Sequence, residues 1–98
     1  MDISASDLNR RLTSDHLTIL DVREKIEYHT YNIGGTNIPL GMIQTITDYD
    51  FNKNDEIIVV CQKGIRSKAA CVILKSFGYL NVRNLKGGLT AMRRLNEI

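Results

Sequence analysis

The sequence has no tryptophan, a single proline and only two cysteines in 98 residues. Two cysteines are too few for a disulfide-stapled secreted scaffold, and they do not cluster with histidines as zinc ligands do. No apolar run approaches the roughly 18 residues that a membrane-spanning helix needs. The chain does not open with a basic stretch followed by an apolar one, so we expect no secretory signal, no membrane association and a cytoplasmic location.

Acidic side chains are scarce in the second half of the chain. Residues 1–56 hold ten acidic and five basic side chains, whereas residues 57–98 hold eight basic ones and a single acid, Glu97. This half should present a positive potential that attracts anions, and a solvated basic surface without a partner is the alternative. A nucleic-acid partner is not expected, because no basic stripe with interleaved aromatic residues is present.

The length and composition are those of one small globular domain, residues 1–98. The hydrophobic fraction of 43% and the charged fraction of 24% are ordinary values that argue against disorder. A chain of this length can bury one modest core.

Strand-like and helix-like segments alternate along the chain. Strands are predicted over residues 17–22, 37–38, 57–60 and 82–85. Helices are predicted from a Ser4 cap through Leu12, over residues 24–28, around Met42, Ile43 and Ile46, over residues 67–77 and over residues 89–95. Such alternation is typical of an α/β fold with a parallel sheet covered on both faces.

In a parallel sheet, ligands bind beyond the carboxyl ends of the strands. Arg23 directly follows one predicted strand, and Cys61 directly follows another. We therefore expect Arg23 and Cys61 to lie on the same functional edge of the sheet.

The loop after the third predicted strand carries the candidate chemistry. Cys61 ends the apolar run Ile57–Val60, and a helix begins about six residues later with Gly64 in between. A tightly curled loop turns backbone N–H groups into an anion-binding nest, and the helix start adds further N–H groups. Basic side chains stand nearby: Lys63, Arg66 and Lys68. We predict a thiolate nucleophile at Cys61, and the alternative is a small buried hydrophobic residue.

A lone disulfide between Cys61 and Cys71 is the alternative to two free thiols. We expect free thiols, because the two residues fall on different predicted elements with different expected burial. Cys71 lies in mid-helix among Ala70, Val72 and Ile73, so packing is its expected role.

The position of Arg66 separates two kinds of cysteine chemistry. Cysteine phosphatases have a loop one residue longer, an arginine that grips phosphate bidentately, and a histidine before the cysteine. In this chain four residues separate Cys61 from Arg66, and Val60 precedes the cysteine. The smaller ring of N–H groups suits a single sulfur atom better than a tetrahedral oxyanion.

These features resemble the rhodanese family of sulfurtransferases, and the resemblance spans nearly the whole chain. The matching stretches are Leu20-Asp21-Val22-Arg23 with Glu27-Tyr28, Asn37-Ile38-Pro39, Cys61-Gln62-Lys63-Gly64-Ile65-Arg66-Ser67, and Gly78-Tyr79 with Val82, Asn84-Leu85 and Gly87-Gly88.

The resemblance implies a five-stranded parallel sheet flanked by helices on both faces. It implies a sulfurtransferase in which Cys61 is catalytic and accepts sulfur as a persulfide. Asp21 and Glu27 would be structural supports, with Glu27 forming an ion pair with Arg66 or Arg23. The implied substrate-binding residues are Gln62, Lys63, Gly64, Ile65, Arg66, Ser67 and Arg23.

The resemblance also bears on partners. Gln62 stands where the family commonly has a basic residue, which weakens the case for thiosulfate as the preferred donor. Residues 32–35 and 38–41 look like those of rhodanese domains appended to adenylating enzymes of molybdopterin and thiamine biosynthesis, which hand sulfur to the activated C-terminus of a small carrier protein. The expected partners are a small anionic sulfur donor or a protein persulfide, and a sulfur carrier protein or an adenylyltransferase domain.

Two other functions stay open at this point. One is a phosphatase or arsenate-reducing enzyme on the same scaffold, which the loop length disfavours. The other is a non-catalytic interaction module, a role typical of rhodanese-like domains that lack the cysteine. Neither a metal nor an organic cofactor is expected.

Overall fold

The computed structural model describes residues 1–14 and 16–96, so Glu97 lies outside the described residues. The strands are β1 (Asp2–Ile3), β2 (Ile19–Asp21), β3 (Thr36–Asn37), β4 (Ile57–Val60) and β5 (Val82–Leu85). The helices are α1 (Ala5–Arg11), α2 (Lys25–Thr30), α3 (Ile65–Ser76) and α4 (Gly88–Arg94), and a 3₁₀ segment covers Leu40–Asp48. Among these described helices, none is both long enough and apolar enough to span a membrane.

The five strands form one parallel sheet in the order β1-β5-β4-β2-β3. Apolar clusters cover both of its faces. One cluster joins the sheet to α3 and the 3₁₀ segment, and the other joins it to α1 and α4. The predicted α/β class, with a parallel sheet flanked by helices, is confirmed.

Strand β4 lies at the centre of the sheet and carries the core. Its four residues are fully buried, which explains why Ile57–Val60 is an unbroken run of β-branched side chains. Ile57 and Val59 face α3, whereas Ile58 and Val60 face α1 and α4. Each such side chain contributes roughly 1.5–3 kcal/mol on burial, so β4 fixes the position of the residue that follows it.

Several predicted element boundaries are wrong by small amounts. Strand β1 was not predicted, because Asp2–Ile3 is too short to show an alternating pattern. The strand predicted over residues 17–22 is assigned only to Ile19–Asp21, although the amide of Val22 still donates to the carbonyl of Val60 at 3.0 Å. Helix α3 begins at Ile65, two residues earlier than predicted, because Gly64 itself takes the N-cap position.

The helix predicted around Met42 is a 3₁₀ segment, and its face differs from the prediction. Ile43 and Ile46 are buried, but Met42 is 52% exposed. A 3₁₀ helix has three residues per turn, so residues three apart lie above one another. Ile43 and Ile46 therefore share the buried face, and Met42 is turned away from it.

Candidate active site

The register of the sheet brings the two predicted edge residues together. Asp21 of β2 lies beside Val60 of β4, so Arg23 and Cys61 leave the carboxyl ends of neighbouring strands. The prediction that these residues share one edge of the sheet is confirmed.

The sulfur of Cys61 lies at the centre of a tightly curled loop. The amide of Gly64 donates to Cys61 Sγ at 3.1 Å, and the amide of Ser67 donates to it at 3.3 Å. The Ser67 hydroxyl lies 3.2 Å from the same sulfur. Gly64 has a φ of +92°, which L side chains rarely adopt, and this conformation turns the chain from the loop into α3. The predicted nest of N–H groups is therefore present around Cys61.

These contacts set the ionisation of Cys61. Burial would raise the pKa of the thiol, because Cys61 is only 1% exposed. Hydrogen bonds from the Ser67 hydroxyl and from the amides of Ser67, Gly64 and Lys63 outweigh burial, so the pKa of Cys61 lies below its ordinary value. The sulfur is thus both buried, as the packing alternative expected, and prepared to carry negative charge.

Helix α4 is hydrogen-bonded to the first two residues of the loop. The amide of Leu89 donates to the carbonyl of Cys61 at 2.9 Å, and the amide of Thr90 donates to that of Gln62 at 3.0 Å. The Gln62 side chain donates to Thr90 Oγ1 at 3.1 Å. This approach requires Gly88, because a Cβ there would lie 2.4 Å from the Gln62 carbonyl oxygen. Helix α4 and the start of the loop are therefore in direct contact and joined by three hydrogen bonds.

Arg66 pairs with Glu27 rather than pointing a free charge at the sulfur. Its two terminal nitrogens donate to the Glu27 carboxylate at 2.6 and 3.0 Å. Hydrogen bonding to Arg66 lowers the pKa of Glu27 to about 2. A compensated guanidinium is a poor clamp for a phosphate dianion, so this pairing adds to the loop-length argument against a phosphatase. Of the two partners considered for Glu27, the structure selects Arg66.

Asp21 and Arg23 form a buried ion pair next to the site. Their side chains are 0% and 3% exposed, and Arg23 Nη2 lies 2.8 Å from Asp21 Oδ2. Arg23 also donates to the Tyr31 carbonyl at 2.6 Å, and Asn37 donates to the carbonyls of Asp21 and Arg23. The pair anchors the chain after β2, as expected of Asp21. Substrate binding by Arg23 stays a prediction, because these contacts already occupy much of its guanidinium.

A cleft of about 360 Å³ opens above the sulfur. Its lining residues are Glu27, Cys61, Gln62, Lys63, Ile65 and Arg66. Gly64 and Ser67 lie behind the sulfur rather than at the mouth, and Ser67 is fully buried. Ile65 stands at the entrance of the cleft and is 76% exposed.

Asn84 is a component of the site that the sequence reasoning did not assign to it. Its carboxamide oxygen accepts from the Ser67 hydroxyl, and its amide nitrogen donates to the Gly64 carbonyl at 3.4 Å. A signal was available in the sequence. Asn84 lies two residues after buried Val82 in a strand, so the alternation places a polar side chain on a buried face.

Cys71 is a packing residue, as predicted. Both thiols are free, and both are buried, which corrects the expectation of different burial. Burial raises the pKa of Cys71 to about 11, so it is a poor nucleophile near neutral pH. Within residues 1–14 and 16–96, no group of three His, Cys, Asp or Glu side chains could hold a metal ion.

Comparison with known proteins gives a consistent picture. The family model for the rhodanese-like domain matches residues 4–95. The protein named “Putative sulfur carrier protein YrkF” from Bacillus subtilis (strain 168) is 38% identical over 90 residues, 90% of this chain and 48% of that protein. The protein named “Adenylyltransferase and sulfurtransferase uba4” from Ogataea parapolymorpha is 32% identical over 101 residues, 96% of this chain and 26% of that protein. This chain thus spans less than half the length of either relative.

The fold also matches a solved structure. The solution NMR structure of the rhodanese-like domain from the Anabaena sp. Alr3790 protein superposes with a TM-score of 0.87 and 27% sequence identity. The match covers 97% of this chain and 74% of that one. Sequence and structure therefore point to the same family.

Proposed function

This chain belongs to the rhodanese-like domain family, and we propose that it transfers sulfur by carrying it as a persulfide on Cys61. Its relatives support sulfur transfer in general, since one is named a sulfurtransferase and another a sulfur carrier protein. The main support for a persulfide on Cys61 is the set of hydrogen-bond donors around its Sγ: the amides of Gly64 and Ser67 and the Ser67 hydroxyl. These donors stabilise an anionic sulfur without a general base.

The proposed reaction has two steps. With thiosulfate, the Cys61 thiolate attacks the outer sulfur, an S–S bond to Sγ forms, and sulfite leaves with the electron pair of the broken bond. A nucleophilic acceptor then attacks the terminal sulfur, and the Cys61 thiolate leaves. The cleft of about 360 Å³ offers room for the extra sulfur, which stands about 2 Å beyond Sγ.

The charge of the cleft influences which sulfur donor it can bind. Gln62 is neutral, and Glu27 compensates Arg66. Among the described residues that line the cleft, Lys63 is the cation without an ion-pair partner. A single exposed lysine is a weak site for a dianion, so a protein persulfide fits this cleft at least as well as thiosulfate.

The surroundings of the cleft bear on the acceptor. A second cavity of about 300 Å³ adjoins the cleft, because Glu27 and Gln62 line both. Exposed Ile26 and Ile65 stand along this groove at 77% and 76% exposure. A groove with apolar rims fits an extended protein segment better than a small anion. We therefore include a sulfur carrier protein, alone or with an adenylyltransferase domain, among the proposed partners.

We also propose that the protein works in a reducing compartment such as the cytoplasm. Both cysteines of the chain are free, and a persulfide carrier needs its thiol reduced between cycles. Cys71 has a pKa of about 11, so its thiol stays protonated near neutral pH. It is therefore a poor nucleophile for forming an internal disulfide with Cys61.

Intact-mass spectrometry tests the proposal. The wild-type chain and the variants Cys61→Ser and Cys71→Ala are treated with thiosulfate or with a small-molecule persulfide, before and after reductant. We expect a gain of about 32 Da, one sulfur atom, in the wild type and in Cys71→Ala, reversed by reductant and absent in Cys61→Ser. No gain with either donor, while Cys61 still alkylates, would replace the proposal with a non-catalytic interaction module.

A further inference from the structure

One hydroxyl hydrogen is shared between two acceptors in the core of the site. Ser67 Oγ lies 3.2 Å from Cys61 Sγ and also hydrogen-bonds to the side-chain oxygen of Asn84. Ser67 is fully buried and Asn84 is 6% exposed, so water does not substitute for either contact. A serine hydroxyl has a single hydrogen. It can therefore donate to the sulfur or to Asn84, but not to both.

The two protonation states of Cys61 need different arrangements of that hydrogen. When Cys61 is a thiol, Sγ–H donates to Ser67 Oγ, and Oγ–H donates to Asn84 Oδ1, so every group has a partner. When the sulfur is an anion, it can only accept, and Oγ–H must turn toward it. Asn84 Oδ1 then loses its donor in a buried place, which is unfavourable.

Asn84 cannot escape this loss by turning its amide around. Its Nδ2 already donates to the carbonyl of Gly64, so a rotated amide would set two oxygens against each other there. The other donors to the sulfur do not enter the competition, because the amides of Gly64 and Ser67 are fixed in the loop. The shared hydrogen is thus the adjustable part of the site.

We propose that Asn84 is a positioning residue that competes with the Cys61 sulfur for the Ser67 hydroxyl hydrogen and so limits how readily Cys61 ionises. The inference deepens the proposed function, because the anion is the form that would accept sulfur. Its measurement needs no sulfur donor, so it stands or fails separately from persulfide formation. The balance would therefore keep Cys61 less reactive than the loop amides alone would make it.

Other ionisable groups surround Cys61 and also influence the pH at which it ionises. They are Glu27, Lys63 and Arg66 at the cleft, Cys71 in the same apolar cluster, the Asp21–Arg23 pair on the neighbouring strand, and Asp2, Lys68 and Lys86 beside Asn84. Among the described residues, no charged side chain hydrogen-bonds to Ser67 Oγ or to the carboxamide of Asn84. A change at Asn84 to a neutral residue therefore acts on the sulfur through Ser67.

The test is the pH dependence of Cys61 alkylation by iodoacetamide, with Cys71→Ala as the parent so that one thiol remains. Asn84→Val removes the competing acceptor and places a residue with high β-propensity in the strand. We expect its alkylation midpoint to fall by about half a pH unit to one pH unit, the effect of one hydrogen bond. In a Ser67→Ala background, the same substitution should leave the midpoint unmoved.

A second variant keeps the test decisive if Asn84→Val does not fold, which its urea unfolding curve would reveal. Asn84→Leu has nearly the shape of asparagine and removes the competing acceptor, so the midpoint should fall with Ser67 present and stay unmoved in the Ser67→Ala background. Equal shifts in both backgrounds, for either variant, would overturn the proposal, because they would show that Asn84 acts without Ser67.

Discussion

The guanidinium of Arg66 donates to both carboxylate oxygens of Glu27, at 2.6 and 3.0 Å, and so joins α3 to α2 across the entrance of the Cys61 cleft. Hydrogen bonding to Arg66 lowers the pKa of Glu27 to about 2. Because the folded-state pKa is depressed, the stabilisation is complete above about pH 4.5 and is lost as the pH falls through about 2. The pair is therefore intact at every pH at which Cys61 could act.

Removing the Glu27 charge should make Cys61 more reactive. Arg66 and Cys61 interact electrostatically, and Glu27→Gln leaves that cation uncompensated. We expect the pH midpoint of Cys61 alkylation by iodoacetamide to fall. We also expect sulfate or arsenate to inhibit this alkylation a few-fold more strongly, because the freed guanidinium can bind the anion. Glu24→Gln is the matched control, since the Glu24 charge at the N-cap of the same helix acts on Arg66 through space and not through a hydrogen bond. An equal shift in the control would mean that general charge, not the pairing, is responsible.

The buried Asp21–Arg23 pair should matter for stability more than an exposed pair does. Asp21→Asn leaves a buried guanidinium without its counterion, and such breakage costs about 3–5 kcal/mol. Asp7 pairs with Arg10 at the surface, where side chains are half exposed or more, so Asp7→Asn should cost no more than about 1 kcal/mol. Urea unfolding measures both. Similar losses in the two variants would show that Arg23 finds another partner when Asp21 is neutral.

Gly88 should be irreplaceable by alanine for steric reasons. A Cβ at this position would lie 2.4 Å from the Gln62 carbonyl oxygen and 2.6 Å from that of Cys61. We expect Gly88→Ala to destabilise the fold by roughly 2–4 kcal/mol. We also expect alkylating reagents to prefer Cys61 over Cys71 less strongly in this variant. Gly34 also has a positive φ, of +98°, but a Cβ there would meet no atom within 4 Å, so Gly34→Ala isolates the backbone penalty. If both variants lose equal stability, the close approach of α4 to the loop is not the cause.

Cys71 should make the fold sensitive to alkali. The unfolded chain releases the Cys71 proton near pH 9, whereas burial in the folded state raises the pKa of this thiol to about 11. The folded state thus binds more protons across that window, so stability falls as the pH rises from about 9 to about 11, by roughly 2–3 kcal/mol. Unfolding by urea across this range should show a shallower decline in Cys71→Ala than in the wild type. Parallel declines would indicate that other groups dominate.

The loop around Cys61 was accessible from the sequence because its determinants are local. A buried strand, a glycine and a helix start within a few residues dictate a curled backbone, and the amides around the sulfur follow from that curl. The same holds for the shared edge of Arg23 and Cys61, which the parallel register requires.

The remaining features depend on residues distant in the chain. The choice of Arg66 as the partner of Glu27 depends on how α2 packs near α3, and a spacing of 39 residues carries no such information. Asn84 reaches Ser67 from β5, so its role emerges only when the sheet is assembled. Strand β1 forms because Asp2–Ile3 meets Asn84–Leu85, and two residues alone show no periodicity.

The contacts between α4 and the loop have a consequence for the order in which the protein becomes competent during synthesis. Ribosomes deliver the chain from its N-terminus, so Cys61 emerges well before Asn84, Gly88, Leu89 and Thr90. Until those residues arrive, the carbonyls of Cys61 and Gln62 lack their donors, and Ser67 lacks its acceptor. The loop around the nascent thiol is therefore not yet held in its final position, and the reactivity of Cys61 is set only when the last strand and helix have docked.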